Sequence, residues 1–440
     1  MILSGWGRFP RQDCRVTRPR GEAGLKDLVA AGGLIARGNG RAYGDSALSR
    51  RNTVDMRGFN RLLAFDPESG RLTAEAGVLL QDVISVFLPR GWFPAVTPGT
   101  KYVTLGGMIA ADVHGKNHHK DGSFGAFVDW IDVMGRDGEV RRCSRDREAE
   151  LFGWTLGGMG LTGVILRAAF RLRPVDSAWI RQTAIPTANL AETMKCFSDH
   201  RTATYAVAWV DCLAGGGGLG RSLVLLGEHA RREELPAKKR QAPYAVPARR
   251  RLSLPFEVPD FLLNSLTLRA FNTFYYHRGR QGAGERLVDW DSFFYPLDSL
   301  LGWNRIYGRR GFAQFQCVLP LERSQAGLSA LLEATSRAGR GSFLAVLKRL
   351  GRQESRISFP MEGYTLALDF PISPGAQRLL AELDRIAIDH GGRFYLAKDG
   401  RMPAQTLHRA DPRAEIFRAR REGLGLAEVF ASAQSERLRL

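Results

Sequence analysis

Three glycine-rich stretches within 130 residues constrain this chain more than anything else in it. They are "ARGNGRAYGDSA" (Ala36–Ala47), "TPGTKYVTLGGMIAADVHG" (Thr97–Gly115) and "TLGGMGLTGVI" (Thr155–Ile165). Glycines at 38, 40 and 44 let backbone amides turn inward and approach a bound group with no Cβ in the way. In the second stretch, Gly106-Gly107 precede Met108-Ile109-Ala110-Ala111, a run small enough to bring backbone against a flat ligand. Each stretch alone reads as turn chemistry. Together they predict loops laid along one extended ligand, and a dinucleotide fits that shape best. The first loop lacks the G-x-G-x-x-G spacing and the acidic residue expected after it, which argues against a nicotinamide-binding fingerprint.

The second stretch runs into "ADVHGKNHHKDGSFG", which holds three of the chain's 8 histidines. His114 and His118 stand four apart, as in a zinc-protease helix, but Gly-Lys-Asn separates them. There is no glutamate base, the glycine weakens a helix, and Lys116 would repel a dication. A Walker loop is excluded too, since Gly115-Lys116 is followed by Asn117. No metal is expected; neutral donors beside one cation suit an electron-rich, partly anionic ligand. The 5 cysteines are scattered with no C-x-x-C pair, which predicts a reducing compartment and buried or incidental thiols.

At 440 residues the chain exceeds one ordinary core, so two domains are expected. Hydrophobic content of 44% with 25% charged residues predicts a soluble globular protein. "MILSGWGRFPRQDCR" has no secretory n-region and no run reaches membrane-spanning length, so no signal peptide or transmembrane helix is expected. Strands and helices mix, and "VDWIDVMGRDGEVRRCS" (Val128–Ser144) reads as a hairpin with Asp137-Gly138 as a type I′ turn. The fold class is therefore α+β. After Pro174 the character shifts, and the apolar spacing in Ser373–Gly392 predicts a long helix closed by glycine.

A net charge of +18 needs an anionic partner: nucleic acid, a membrane surface or a substrate. The basic residues are diffuse and no nucleic-acid motif appears, so nucleic acid is not expected. The densest stretch, Arg231–Arg251, carries three prolines and reads as a mobile basic loop, either plainly solvated or the contact for such an anionic partner.

"RGNGRAYGDSAL", "TPGTKYVTLGGMIAADVHGKNHHKDGSFG", "ELFGWTLGGMGLTGVI", "WNRIYGRRGFAQFQCVLP" and "FYLAKDGRMPAQTLHRADPR" resemble the vanillyl-alcohol-oxidase class of FAD-linked oxidoreductases. Within that class they most resemble the decaprenylphosphoryl-β-D-ribose 2′-oxidases, from about Trp6 to the C-terminus. The resemblance implies a split FAD-binding domain of the PCMH type, 1–176 with the tail 393–440, around an inserted antiparallel-sheet substrate domain, 177–392. It implies that FAD is contacted by Ala36, Arg37, Gly38, Asn39, Gly40, Arg41, Ala42, Tyr43, Gly44, Asp45 and Ser46. Further along, Gly99, Thr104, Leu105, Gly106, Gly107, Ala111, Asp112, Val113, His114, Ile165 and Tyr395 would join them. Lys116, Phe294, Gln314, Gln316, Thr365, Ala367 and Lys398 would face the substrate.

The implied reaction oxidises the C2 hydroxyl of a polyprenyl-phosphoryl ribose to the 2-keto sugar, the first half of an epimerisation to arabinose for cell-envelope polysaccharide. Lys398 is the first candidate for the base, ahead of His114 and Tyr43. Lys116 would give electrostatic support to the reduced flavin or the substrate phosphodiester. A quinone-like acceptor, an NAD(P)H-dependent 2-keto reductase and an anionic membrane surface are the implied partners, with the enzyme cytoplasmic and docked on the inner face. Many class members tether FAD through a histidine in the first glycine loop; Gly32–Gly58 holds no His or Cys, so non-covalent FAD is expected. Ala367 and Thr365 stand where family members have cysteine and asparagine, and Phe294-Tyr295 match an aromatic-histidine pair. These departures should change the shape of the side pocket and leave the chemistry in place; the alternative substrate class on the same fold is a soluble sugar alcohol or lactone oxidised with oxygen as acceptor.

Overall fold

The computed structural model describes residues 1–249, 252–259 and 263–440. A strand Leu34–Arg37 leads into the first glycine loop and pairs in parallel with Asn52–Asp55, which also pairs with Val16–Thr17. Behind this small sheet the helix Glu22–Ala31 buries Leu25 and Val29. A six-stranded sheet follows, and its long strand Val164–Pro174 pairs antiparallel with Arg71–Glu75, Trp92–Pro94 and Val128–Met134. That strand is buried along most of its length, which its β-branched and alanine-rich sequence permits.

Only Val175–Ala178 separate that strand from Trp179–Thr187, which enters an eight-stranded antiparallel sheet. In order across the sheet lie Gly284–Asp289, Trp179–Thr187, Ser222–His229, Tyr205–Val210, Val346–Leu350, Gly363–Pro371, Phe312–Pro320 and Arg393–Phe394. Helices Leu190–Asp199, Ser324–Arg337 and Pro374–Asp389 pack their apolar rows on one face of it. The last starts where Ser373 accepts from the Ala376 amide and proline takes the first turn, and Gly391 (φ 72°) ends it.

The C-terminal segment comes back to the first strand. Gly33 and Leu34 donate to the carbonyls of Glu428 and Val429, and Ala431 donates to Leu34. Among the described residues no helix is long and apolar enough to cross a membrane.

Two local expectations are corrected. The hairpin Val128–Met134/Val140–Ser144 forms, but Met134 pairs with Val140, leaving five residues between the strands. Gly138 donates to Gly135 and has φ 76°, while Arg136 and Asp137 stay at negative φ. A type I′ turn needs positive φ at both central residues, so a wider loop with glycine at its bulge replaces it. The basic stretch is also more anchored than a mobile loop. Arg240 hydrogen-bonds the Glu233 and Leu235 carbonyls, Lys239 lies over the Trp179 ring at 3.4 Å, and Tyr244 Oη donates to Val175. Residues 250 and 251 at its end lie outside the described residues.

Candidate active site

The glycine segments meet along one cavity of about 330 Å³. Leu34–Arg37 delivers the first loop, and the chain's N-terminus braces it: Trp6 donates to Ala42 and Gly7 to Tyr43. The loop can lie this close to the tail because a Cβ on Gly44 would run into the Asp399 carbonyl. Thr104 caps the short helix Leu105–Ala110, and Gly106, Gly107, Ala110 and Ala111 present a floor with little side-chain bulk. A Cβ on Gly38 would strike Thr104, so the loop and this helix pack backbone against side chain.

The opposite wall comes from alternation in three neighbouring strands. On Phe312–Pro320, Gln314 and Gln316 face the cavity while Phe315, Cys317 and Leu319 enter the core. Asp369 and Ala367 stand opposite them in register on Gly363–Pro371, and Val346 and Lys348 continue the wall on the next strand. The tail closes the end with Tyr395, Ala397 and Lys398, where Tyr43 donates to Ala397.

Four polar groups meet at that end. Lys398 Nζ lies over the Tyr43 ring at 3.6 Å. Asp369, fully buried, accepts from Gln314 Nε2 at 2.5 Å and from Tyr307 Oη at 3.4 Å. Burial lowers the pKa of Lys398, with Asp369 opposing and Lys348 adding to the fall. Burial raises that of Asp369 against its bonds and the nearby Lys398. Burial also lowers Lys348 to about 8. His114 touches Gln316 Nε2 at 3.1 Å and Lys348 Nζ at 3.4 Å through its two ring nitrogens. Burial first, then Lys348, holds its pKa well below the ordinary value, so it stays neutral. Burial and then Asp369 push Tyr43 well up, so it stays protonated.

Of the expected residues, most of the glycine loop, Gly99, Thr104, Gly106, Gly107, Ala111, Val113, His114, Ile165, Gln314, Gln316, Ala367, Tyr395 and Lys398 line the cavity. Eight do not. Arg37 reaches Ser4 and Ala47 carbonyls, Gly44 meets the tail, and Asp45 pairs with Arg437. Leu105 is core, and Asp112 accepts from Ser123, Gly125 and Gln353. Lys116 donates to the Phe293 and Phe294 carbonyls rather than into the cavity, and burial lowers its pKa to about 7. Phe294 stacks on Phe93 at 5.1 Å in the six-stranded sheet's core, because an aromatic ring gains more there than at a polar wall. Thr365 sits under Gln316, accepting from its amide at 3.2 Å.

Sequence reasoning missed Trp6, Lys348 and Asp369, all on the lining. Lys348 had only a weak signal, a lysine flanked by Leu347 and Arg349 in the strand Val346–Leu350. The quoted histidines divide: His118 bonds Gln353 and the Gly351 amide, and His119 the Ala203 carbonyl, so neither joins His114 on the lining.

The FAD binding domain family matches residues 17–144. Decaprenylphosphoryl-β-D-ribose oxidase of Mycolicibacterium smegmatis is 37% identical, over 100% of this chain and 97% of that protein. L-gulonolactone oxidase of Mus musculus is 29% identical over 37% of this chain and 36% of that protein. Cytokinin dehydrogenase 5 of Arabidopsis thaliana is 31% identical over 34% of this chain and 29% of that protein.

The residues present fit FAD. The small-residue floor leaves width for a flat ring system, and a Cβ on Gly99 would meet nothing within 4 Å. Two buried atoms on lining residues, Arg41 Nε and Gln314 Oε1, have no hydrogen-bond partner among the described residues. Arg41, Lys348 and Lys398 outnumber the lining carboxylates Asp298 and Asp369, as a phosphate-bearing group requires.

Proposed function

The chain belongs to the decaprenylphosphoryl-β-D-ribose oxidase family and is an FAD-dependent oxidoreductase, and on that premise we propose that it oxidises the C2 hydroxyl of a polyprenyl-phosphoryl ribose. The observation that carries this reading is one cavity that joins the glycine loop to a half-buried lysine lying over the Tyr43 ring and feeling the charge of a buried carboxylate. FAD, when bound, supplies the two-electron acceptor. Lys398 takes the hydroxyl proton, and Asp369, fixed by Gln314 and Tyr307, holds the Lys398 pKa up against the larger effect of burial. Gln316 and Lys348 hold His114 in one orientation at the floor. His114 and Tyr43 serve as orienting groups, since burial holds one neutral and keeps the other protonated.

The reading divides the chain as 1–176 and 393–440 around FAD with 177–392 for substrate. The change of sheet at Val175–Ala178 and the return of the tail to Leu34 support it, although Arg393–Phe394 still pairs with Cys317 and Val318. A quinone-like acceptor reoxidises the enzyme, an NAD(P)H-dependent 2-keto reductase completes the epimerisation, and the lipid substrate places both on the cytoplasmic face of the membrane.

Anaerobic addition of farnesyl-phosphoryl ribose to the yellow protein is expected to bleach its flavin absorbance. A flavin that bleaches only with a soluble sugar alcohol or lactone would overturn the substrate. FAD is expected to be dissociable: the first loop has no His or Cys to tether it. Precipitation with acid should leave the yellow colour in the supernatant, and colour in the pellet would show a covalent link.

A further inference from the structure

The helix Ser265–Gln281 buries one row of side chains and carries a second, largely aromatic row outside it. Leu268, Asn272 and Tyr276, four apart, are buried against the eight-stranded sheet, where Tyr276 clusters with Trp209 and Leu223. A second row, Phe271, Phe274, Tyr275 and Arg278, follows the i, i+3, i+4, i+7 spacing on an outer face. Phe274 is 62% exposed, and Phe271 stacks on Tyr275 at 5.8 Å. Nearby in sequence, Leu252 and Phe256 (62%) are exposed as well. Aromatic side chains this exposed mark an interaction surface.

Charge says what covers it. From Leu263 to Gly284 there is no acidic residue, against Arg269, Arg278 and Arg280. The flanking Glu257 is neutralised by Arg8 at 2.5 Å. Exposed aromatics interleaved with arginine on one helix face fit the boundary between anionic headgroups and acyl chains. The patch also adjoins the cavity. Phe271 meets Phe343 edge-on at 5.1 Å beside cavity-lining Leu344, and Leu252–Ser253 pairs with Leu300–Leu301, between lining residues Asp298 and Trp303.

We propose that this face, Phe256 with the outer row of Ser265–Gln281, docks the enzyme on an anionic bilayer, beside the wall that a lipid-linked substrate would pass. The location relative to substrate rests on the functional reading above; the docking itself does not. It adds an apolar contact that Arg231–Arg251 lacks, since among the described residues the exposed part of that stretch offers Arg231, Arg232, Lys238 and Arg240 but no large apolar side chain.

The full-length holoprotein is sedimented with vesicles of equal parts phosphatidylcholine and phosphatidylglycerol, without substrate. Phe256→Ser with Phe274→Ser is expected to weaken binding about tenfold or more, and Arg278→Glu about fivefold. Ile416→Ser, an exposed apolar residue on another helix, is the control and should bind as wild type. All variants should bleach normally with a short-chain, water-soluble substrate. The proposal fails if the wild type ignores anionic vesicles, if the double variant binds as well as wild type, or if the variants change oligomeric state, which would make the row a protein interface. Vesicle binding that depends on these residues in an enzyme that no phosphoryl ribose reduces would keep this surface and overturn the substrate.

Discussion

Lys398→Met is expected to stay yellow and to lose substrate-dependent bleaching by about 10²–10⁴-fold, the range for removing a general base. The argument starts from placement: Lys398 reaches the cavity from the tail, over the Tyr43 ring and next to a fully buried carboxylate. Burial lowers its pKa, so more of it is neutral near pH 7 than of an exposed lysine, and only the neutral amine takes a proton. The wild-type rate should therefore rise with pH through the apparent pKa of the Lys398–Asp369 pair, below the ordinary lysine value, and Lys398→Met should abolish that rise. Lys398→Arg keeps the charge without a base and should be equally slow, which separates proton transfer from electrostatics. Asp369 holds the Lys398 pKa up, so Asp369→Asn should move the rising limb to lower pH. Near-normal turnover in Lys398→Met, or an unmoved profile in Asp369→Asn, would remove these residues from those roles.

The glycine segments were legible because their chemistry is local: a residue without a Cβ near a loop turn announces close approach wherever the fold puts it. The long helices and the hairpin were legible from periodicity and caps. What could not be read was which face each strand gives to the cavity. Gln314 and Gln316 share a face with Asp369 and Lys348 only because three strands pair in that register, a tertiary fact. Lys116 and Phe294 show the opposite failure. Each belongs to a motif resembling the family's, yet the lysine satisfies two carbonyls and the phenyl ring joins an aromatic cluster, contacts that no motif encodes. Trp6 lay outside the loop reasoning because its place depends on the N-terminus hydrogen-bonding to Ala42 and Tyr43 from 36 residues away or more.

The same dependence of loop on distant chain gives the second large effect. Arg437→Met is expected to lower stability by about 3–5 kcal/mol, the cost of stranding buried charge. Arg437 bridges two carboxylates from opposite ends of the sequence, Asp45 at 2.7 Å and Asp399 at 2.8 Å, and also donates to the Met402 carbonyl. Both carboxylates are nearly enclosed, so methionine would fill the space and leave them unpaired. Burial already raises the Asp45 pKa while Arg437 pulls it back, and without the guanidinium it must rise further. The sign follows: a carboxyl whose folded pKa is raised destabilises the fold when ionised and ceases to do so once protonated. The deficit in Arg437→Met should be largest at neutral pH and shrink as pH falls through the raised Asp45 pKa. Urea denaturation of the holoprotein at several pH values reads this as a lowered midpoint that recovers toward acid. Because Asp45 ends the first glycine loop and Asp399 follows Lys398, FAD release should begin at lower urea than in the wild type. A wild-type midpoint at neutral pH would mean that the tail is held by its backbone bonds to Leu34 and by its apolar contacts, and that the ion pairs add nothing.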